Sequence, residues 1–347
     1  MGVVAAIIPW NSPLYLTAIK LAPALAAGNT IVIKPSEHAS ATILELARLA
    51  LEAGIPPGVV NVVTGYGPST GAALTRHPLV RKIAFTGGAA TARHVVRSSA
   101  ENFAKLSLEL GGKSPNIIFA DADLDSAING AIAGIYAASG QSCVSGSRLL
   151  VQDEIYDEFV ERLVERAKRI RIGNPQEDSS EMGPMATAQQ LAVVEGLVAD
   201  AIAEGAHLRL GGKRPENLGE GWFYEPTLFE CDSNSMKIMQ EEVFGPVASV
   251  IRFKDEAEAL AIANDSQFGS PPASGPATWA APIAWPGTCA PGSSGSTPTA
   301  PYRPWRRSAG SRTAAMDAKA ASIRCWPTPS SRRCGSTFPR PPCLIRL

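Results

Sequence analysis

The sequence predicts an α/β protein built on parallel sheet, in two successive domains. Three observations carry that expectation. Apolar runs such as GVVAAIIP (residues 2–9) and TIVIK (30–34) are continuous rather than alternating, as in strands covered on both faces. Helix-like segments bounded by glycine or by capping residues lie between them. The two kinds of segment alternate at a spacing that suits right-handed crossovers.

Taken in order, residues 2–9 form the first strand. Pro13 to Ala27 reads as a helix, kinked at Pro23 and ended by Gly28. TIVIK is the second strand, and Ser40 to Ala53 a helix stopped by Gly54. Val59 to Thr64 is a strand, Gly71 to Arg76 a short helix, and KIAFT (82–86) a strand. Gly87-Gly88 opens a helix running to about Ala100, and Leu106 to Leu110 is the fifth strand. A second block begins at Gly111. Its strands are expected at 116–119, 147–151, 207–210, 223–229 and 247–253, with helices at 124–140, 154–170 and 187–204. The helix EIYDEFVERLVERAKRI is amphipathic, and its charges read as a solvated face. There is no internal repeat.

The chain has 347 residues, is 45% hydrophobic, and balances 32 Lys and Arg with 32 Asp and Glu. That suits a soluble protein of about two domains and gives no sign of a nucleic-acid or membrane partner. No apolar run is long enough to span a bilayer, and the N-terminus lacks the basic flank of a secretory signal. Six cysteines in a chain this long do not make a disulfide scaffold, so a reducing, cytoplasmic setting is expected.

The averages conceal a break after Gly269. Residues 270–347 hold 14 of the 28 prolines, four of the six cysteines and four of the six tryptophans, with ten Lys or Arg against one acid, Asp317. No period of 2 or 3.6 survives, and proline at this density blocks helix and central strand. A disordered basic tail is one reading. Such tails are poor in Trp and Cys, so an out-of-frame translation is the reading that fits the composition better.

Chemistry-bearing residues fall where strands end, which is where open α/β sheets bind ligands. Pro9-Trp10-Asn11 follows the first strand; the Asn11 amide could donate to an oxyanion or cap the next helix. Lys34-Pro-Ser-Glu37 follows the second, as a pair able to hold ribose hydroxyls or as surface charge. Phe85-Thr-Gly87-Gly88 follows the fourth, where glycines and a helix N-terminus admit a pyrophosphate. Leu108-Glu109-Leu-Gly-Gly-Lys113 ends the fifth; Glu109, between two leucines, is a base of raised pKa or an edge carboxylate. Cys143, in SGQSCVSGS, is a nucleophile or a buried thiol.

Each motif is weak alone. Together WN, KPSE, FTGG, LELGGK, GQSC and EEVFGP stand in the order and spacing of the NAD(P)-dependent aldehyde dehydrogenase superfamily, and residues 1–269 resemble its non-phosphorylating, hydrolytic branch. The resemblance implies a Rossmann-type cofactor domain (1–110) and an α/β catalytic domain (111–269), both incomplete, followed by the aberrant segment 270–347. It implies oxidation of a small aldehyde to a carboxylate, with NAD, or NADP, as cofactor and no metal. Cys143 is then the nucleophile, Glu109 the base that hydrolyses its thioester, and Asn11 the oxyanion donor. Trp10, Lys34, Glu37, Gly87, Gly88, Glu242 and Phe244 become cofactor-binding residues, and Glu37 favours NAD by repelling a 2′-phosphate. Intact members form homo-oligomers.

Departures accompany the match. Ala92 stands where relatives commonly have glycine. The domain-sized stretch that relatives carry ahead of Gly2 is absent, as are the strands and loops that should follow NDSQFG. An inactive fragment is therefore the alternative expectation. A Cys–His hydrolase would need a base from His38, His77, His94 or His207, none in a catalytic signature. An acyl transfer to coenzyme A is disfavoured, because such relatives commonly lack the glutamate at position 109.

Overall fold

The computed structural model describes residues 2–269. The segment from Ser270 onward, and with it the reading of that segment as disordered or out of frame, lies outside the described residues.

Five strands, β1 (Val3–Ile7), β2 (Thr30–Lys34), β3 (Val60–Val62), β4 (Val80–Thr86) and β5 (Lys105–Glu109), form the first sheet in the order β3-β2-β1-β4-β5. Every pairing is parallel. The central strand accounts for its own sequence. Val4, Ala6 and Ile8 pack with Leu16 and Ala24 of α1 (Pro13–Ala26) and Ile43 of α2 (Ala41–Glu52). On the other face Ala5 packs with Ala92 and Val95 of α4 (Ala89–Ser99), beside Leu74 of α3 (Ala72–Arg76). A strand buried on both faces has no polar side to alternate with, hence the unbroken apolar run. Pro23 lies within α1, and Gly28, at φ +70°, ends the turn that follows.

The second sheet holds β6 (Pro115–Ile118), β7 (Arg148–Gln152), β8 (His207–Leu210), β9 (Thr227–Glu230) and β10 (Val247–Phe253), in the order β6-β7-β10-β9-β8. Only β8 runs antiparallel to its neighbour. α5 (Leu124–Tyr136) and α6 (Tyr156–Ala167) pack with Leu149 and Val151 on one face. α7 (Ala188–Ala203), α8 (Lys237–Gln240) and α9 (Glu256–Asn264) pack with Leu150 and Ile251 on the other. No helix among the described residues is long and apolar enough to cross a membrane.

Three local expectations are corrected. The strand expected at 223–229 begins only at Thr227, because Pro226 has no N–H for the ladder. The helix expected to reach Gly140 ends at Tyr136, and Ala138, Ser139 and Gly140 turn to φ +51°, +55° and +70°. α8 and α9 were not anticipated; α9 starts at Asp255, whose carboxylate accepts the Glu258 N–H at 2.9 Å.

One buried side chain fastens the second sheet together. Arg148, 1% exposed, donates to the carbonyls of Lys113 (2.9 Å), Ile262 (2.9 Å) and Ala263 (2.7 Å) and to Asn234 Oδ1 (3.3 Å). Its charge sits at the C-terminal end of α9, where the helix carbonyls lack partners of their own. Burial draws its pKa down to about 10, with Asp265 opposing, so it stays charged at neutral pH. Arg148→Ala strands several buried acceptors and should cost roughly 2–4 kcal/mol, read as a lower urea midpoint; an unchanged midpoint would show that water satisfies them.

Candidate active site

In the order β3-β2-β1-β4-β5 the chain reverses direction across the sheet between β1 and β4, and the carboxyl edge at such a reversal is the crevice where open α/β sheets bind ligands. Asn11, Lys34, Gly87 and Glu109 follow or end β1, β2, β4 and β5 at that one edge. α1 is entered at Ser12, φ +47°, with no side-chain cap, so Asn11 does not serve as the helix cap. Lys34 is buried, its side chain 4% exposed, and Nζ lies 3.3 Å from Glu37 Oε2. The Glu37 backbone N–H holds that carboxyl below the usual carboxylate range; burial opposes it and Lys34 assists. Lys34 is therefore not an ordinary surface cation, whereas Glu37 is exposed. The Gly87 N–H donates to the Glu109 carbonyl at 3.1 Å, and a side chain at Gly87 would meet the Phe85 ring at 2.8 Å. Gly88 caps α4 with open space about it and no acid in the first turn. The unpaired N–H groups there face no local anion.

Cys143 is half-buried in the loop that follows α5. That loop is strained: Ala138 and Ser139 both adopt the left-handed conformation, about 1–2 kcal/mol each for residues with a Cβ. Side chains hold it. Ser139 Oγ donates to the Gly183 carbonyl at 2.8 Å. Gln141 donates to the Ala138 carbonyl at 3.2 Å and accepts the Ala186 N–H at 2.8 Å. Gly140 lies so close to Gly245 that a Cβ would stand 1.9 Å from its carbonyl oxygen.

The second sheet reaches the crevice through the EEVFGP loop. Glu242 Oε1 accepts the Gly112 N–H at 3.1 Å, and a Cβ at Gly111 would fall 2.0 Å from Oε2. A Cβ at Gly112 would fall 2.9 Å from the Cys143 carbonyl. The Gly-Gly pair of LELGGK is therefore required by close approach from two sides. Phe244, at φ +54°, meets Trp10 edge to face at 5.3 Å between centroids.

The ionisable groups here act on one another's charge. Burial pushes the Cys143 thiol up, the carboxylates of Glu242 and Glu109 push it further, and its backbone hydrogen bond and Lys20 oppose. Burial also raises Glu242, against the Gly112 N–H and Lys113. Lys20, on α1, donates to Thr86 Oγ1 at 2.6 Å; burial lowers it, while Glu109 and Cys143 oppose. Cys143, Glu109, Glu242 and Lys20 thus share one electrostatic neighbourhood. Lys34 and Glu37 stand apart from it, at the end of β2.

Lys20 and Lys113 were not singled out by the sequence. Lys20 left only a weak signal, a single cation in the apolar stretch LTAIKLAPAL. Lys113 is fully buried with Nζ unpartnered among the described residues; burial first, then Arg148, pulls it to about 7. The histidines serve elsewhere: His77 Nδ1 accepts the Leu79 N–H, and His207 pairs with Glu230. Among the described residues there is no cluster of three metal-binding side chains.

Comparison with known proteins adds the following. The model of the aldehyde dehydrogenase family matches residues 1–272. The (Z)-2-((N-methylformamido)methylene)-5-hydroxybutyrolactone dehydrogenase of Acinetobacter baylyi is 53% identical over 270 residues, 78% of this chain and 55% of that protein. The betaine aldehyde dehydrogenase of Bacillus subtilis is 48% identical over 271 residues, again 78% and 55%. Among solved structures, a betaine aldehyde dehydrogenase from Staphylococcus aureus in complex with NAD+ superimposes with a TM-score of 0.76 at 44% identity, covering 77% of this chain and 54% of that one. PnpE in complex with nicotinamide adenine dinucleotide gives 0.76 at 48%, covering 77% and 55%. The chain spans about half the length of the curated relatives it matches.

The shared neighbourhood makes a titration testable. Without cofactor, alkylation of Cys143 by iodoacetamide should rise with pH through a midpoint above that of a free thiol, about 8.5. Glu242→Gln removes a negative neighbour and should lower the midpoint; Lys20→Met removes a positive one and should raise it. Site-resolved mass spectrometry gives the rates, and opposite shifts would overturn the assignment.

Proposed function

Because the chain belongs to the aldehyde dehydrogenase family, we propose that it oxidises an aldehyde to a carboxylate with NAD+, or NADP+, as hydride acceptor. The observation that carries the proposal is the close approach of Glu242 and the Cys143 loop to Gly111 and Gly112, just beyond Glu109 at the end of β5.

The residues present suit a dinucleotide. Buried Lys34 and its exposed partner Glu37 would hold the adenosine ribose, and Glu37 favours NAD+ because a 2′-phosphate would meet its carboxylate. Gly87, Gly88 and the open first turn of α4 would take the pyrophosphate. Trp10, Glu242 and Phe244 would flank the nicotinamide end. When bound, the cofactor supplies the hydride acceptor.

The protein's own residues do the rest. The Cys143 thiolate attacks the aldehyde carbon, giving a thiohemiacetal. The Asn11 amide and the Cys143 backbone N–H donate to the oxygen as it gains charge. Loss of hydride leaves a thioester on Cys143. Glu109 takes a proton from water, the hydroxide adds to the acyl carbon, and the carboxylate leaves as the thiolate is restored. On this reading residues 1–110 form the cofactor domain and 111–269 the catalytic domain. Cys143 and Cys231 are both free thiols, which suits a reducing cytoplasm.

The 347-residue chain with NAD+ and a panel of aldehydes provides the test, followed by NADH absorbance. Cys143→Ala should abolish NADH formation; turnover that survives it would refute the assignment. Glu109→Gln should slow steady turnover by roughly 10²–10⁴-fold, the usual worth of a general base. It should still give an initial burst of about one NADH per active chain, because hydride transfer precedes hydrolysis.

A further inference from the structure

We infer that residues 183–190, the approach to α7 and its first turn, brace the Cys143 loop and the Phe244 loop against each other, with Gln141 and Gln190 as positioning residues. The Proposed function enters only in what the two loops carry, a nucleophile and a wall of the nicotinamide pocket.

Each loop holds residues that an unsupported chain would not keep. Ala138 and Ser139 are left-handed ahead of the cysteine, and Phe244 is left-handed in the other loop. Such conformations persist only where the surroundings over-determine them. In both loops the support comes from the same eight residues. Gly183 accepts from Ser139 Oγ at 2.8 Å, and Ala186 donates to Gln141 Oε1 at 2.8 Å. Four residues on, Gln190 Nε2 donates to the carbonyls of Val243 (3.0 Å) and Phe244 (3.2 Å).

Gln190 is also diverted from its local task. Thr187-Ala-Gln-Gln190 has the pattern of a capping box, in which the fourth side chain turns back to the first residue's N–H. Half of that box forms, the Gln190 N–H reaching Thr187 Oγ1 at 3.1 Å, but the side-chain amide is sent across to the other loop. Two further contacts close the arrangement. Gly245 packs against Val194 of α7, where a Cβ would stand 2.5 Å from Cγ2. Gly140 in turn packs against the Gly245 carbonyl. Cys143 loop, brace and Phe244 loop are therefore in contact with one another.

A shared brace predicts crossed effects. The full chain is made with Gln141→Met, with Gln190→Met and with both; these keep side-chain length and remove the hydrogen bonds. Cys143 alkylation is measured by mass spectrometry without cofactor, and NAD+ affinity by tryptophan quenching. Gln190→Met, whose lost bonds are all in the Phe244 loop, should speed Cys143 alkylation by about threefold or more. Gln141→Met, in the nucleophile loop, should weaken NAD+ binding by a similar factor. The double variant should fall short of the product of the singles, the mark of groups acting through one element. Effects confined to each residue's own loop, or effects that multiply, would overturn the brace. Circular dichroism checks folding, and the uncharged Gln190→Leu replaces the methionine if that variant unfolds. Failure of the unmodified protein to bind NAD+ would refute the cofactor reading, and the alkylation data would still decide the brace.

Discussion

One carboxylate holds the two halves of this protein in working relation. Glu242 arrives from the second sheet and accepts the N–H of Gly112, just beyond the first sheet's last strand. The fit is so close that Gly111 has no room for a side chain beside Glu242, while Gly112 is closed off by the Cys143 carbonyl. The same carboxylate raises the Cys143 thiol, and two residues later the chain presents Phe244 to Trp10. Partly buried, Glu242 carries a desolvation cost, and its acceptance of a backbone N–H compensates part of it. Cys143, the glycine turn and the Trp10–Phe244 contact all lie close to this one point.

The doubly wound part of the fold was legible because burial on both faces writes itself into a strand as an unbroken apolar run. β1, β2 and β4 were found that way. The carboxyl-edge motifs were legible because polar residues directly after such runs have few structural reasons to be there. What escaped was set by partners far away in sequence. Ala138 and Ser139 have no intrinsic preference for the left-handed region; Gly183 and Gly245 put them there. Lys20 in a helix reads as a solvent-facing cation, and only the fold shows that burial and Thr86 enclose it. Gln190 reads as half a capping box, which conceals its reach to another loop. α9 mixes apolar and charged residues without a clean stripe, so its period was faint.

The site is poised rather than primed. Its thiol sits among carboxylates, which favour the neutral form, while Lys20 alone among the named neighbours pulls the other way. A nucleophile kept protonated is a poor target for adventitious oxidation and alkylation. Lys113, a buried amine drawn to about 7, adds a second group whose charge is sensitive to the same surroundings.

The Glu242–Gly112 bond joins residues 130 apart in the chain. A ribosome adding roughly 5–20 residues per second needs on the order of ten seconds to cover that distance. Cys143 is made early in that interval, before Glu242 and Gly245 exist to seat its loop. The order of synthesis therefore gives the cysteine a period of life without its clamp.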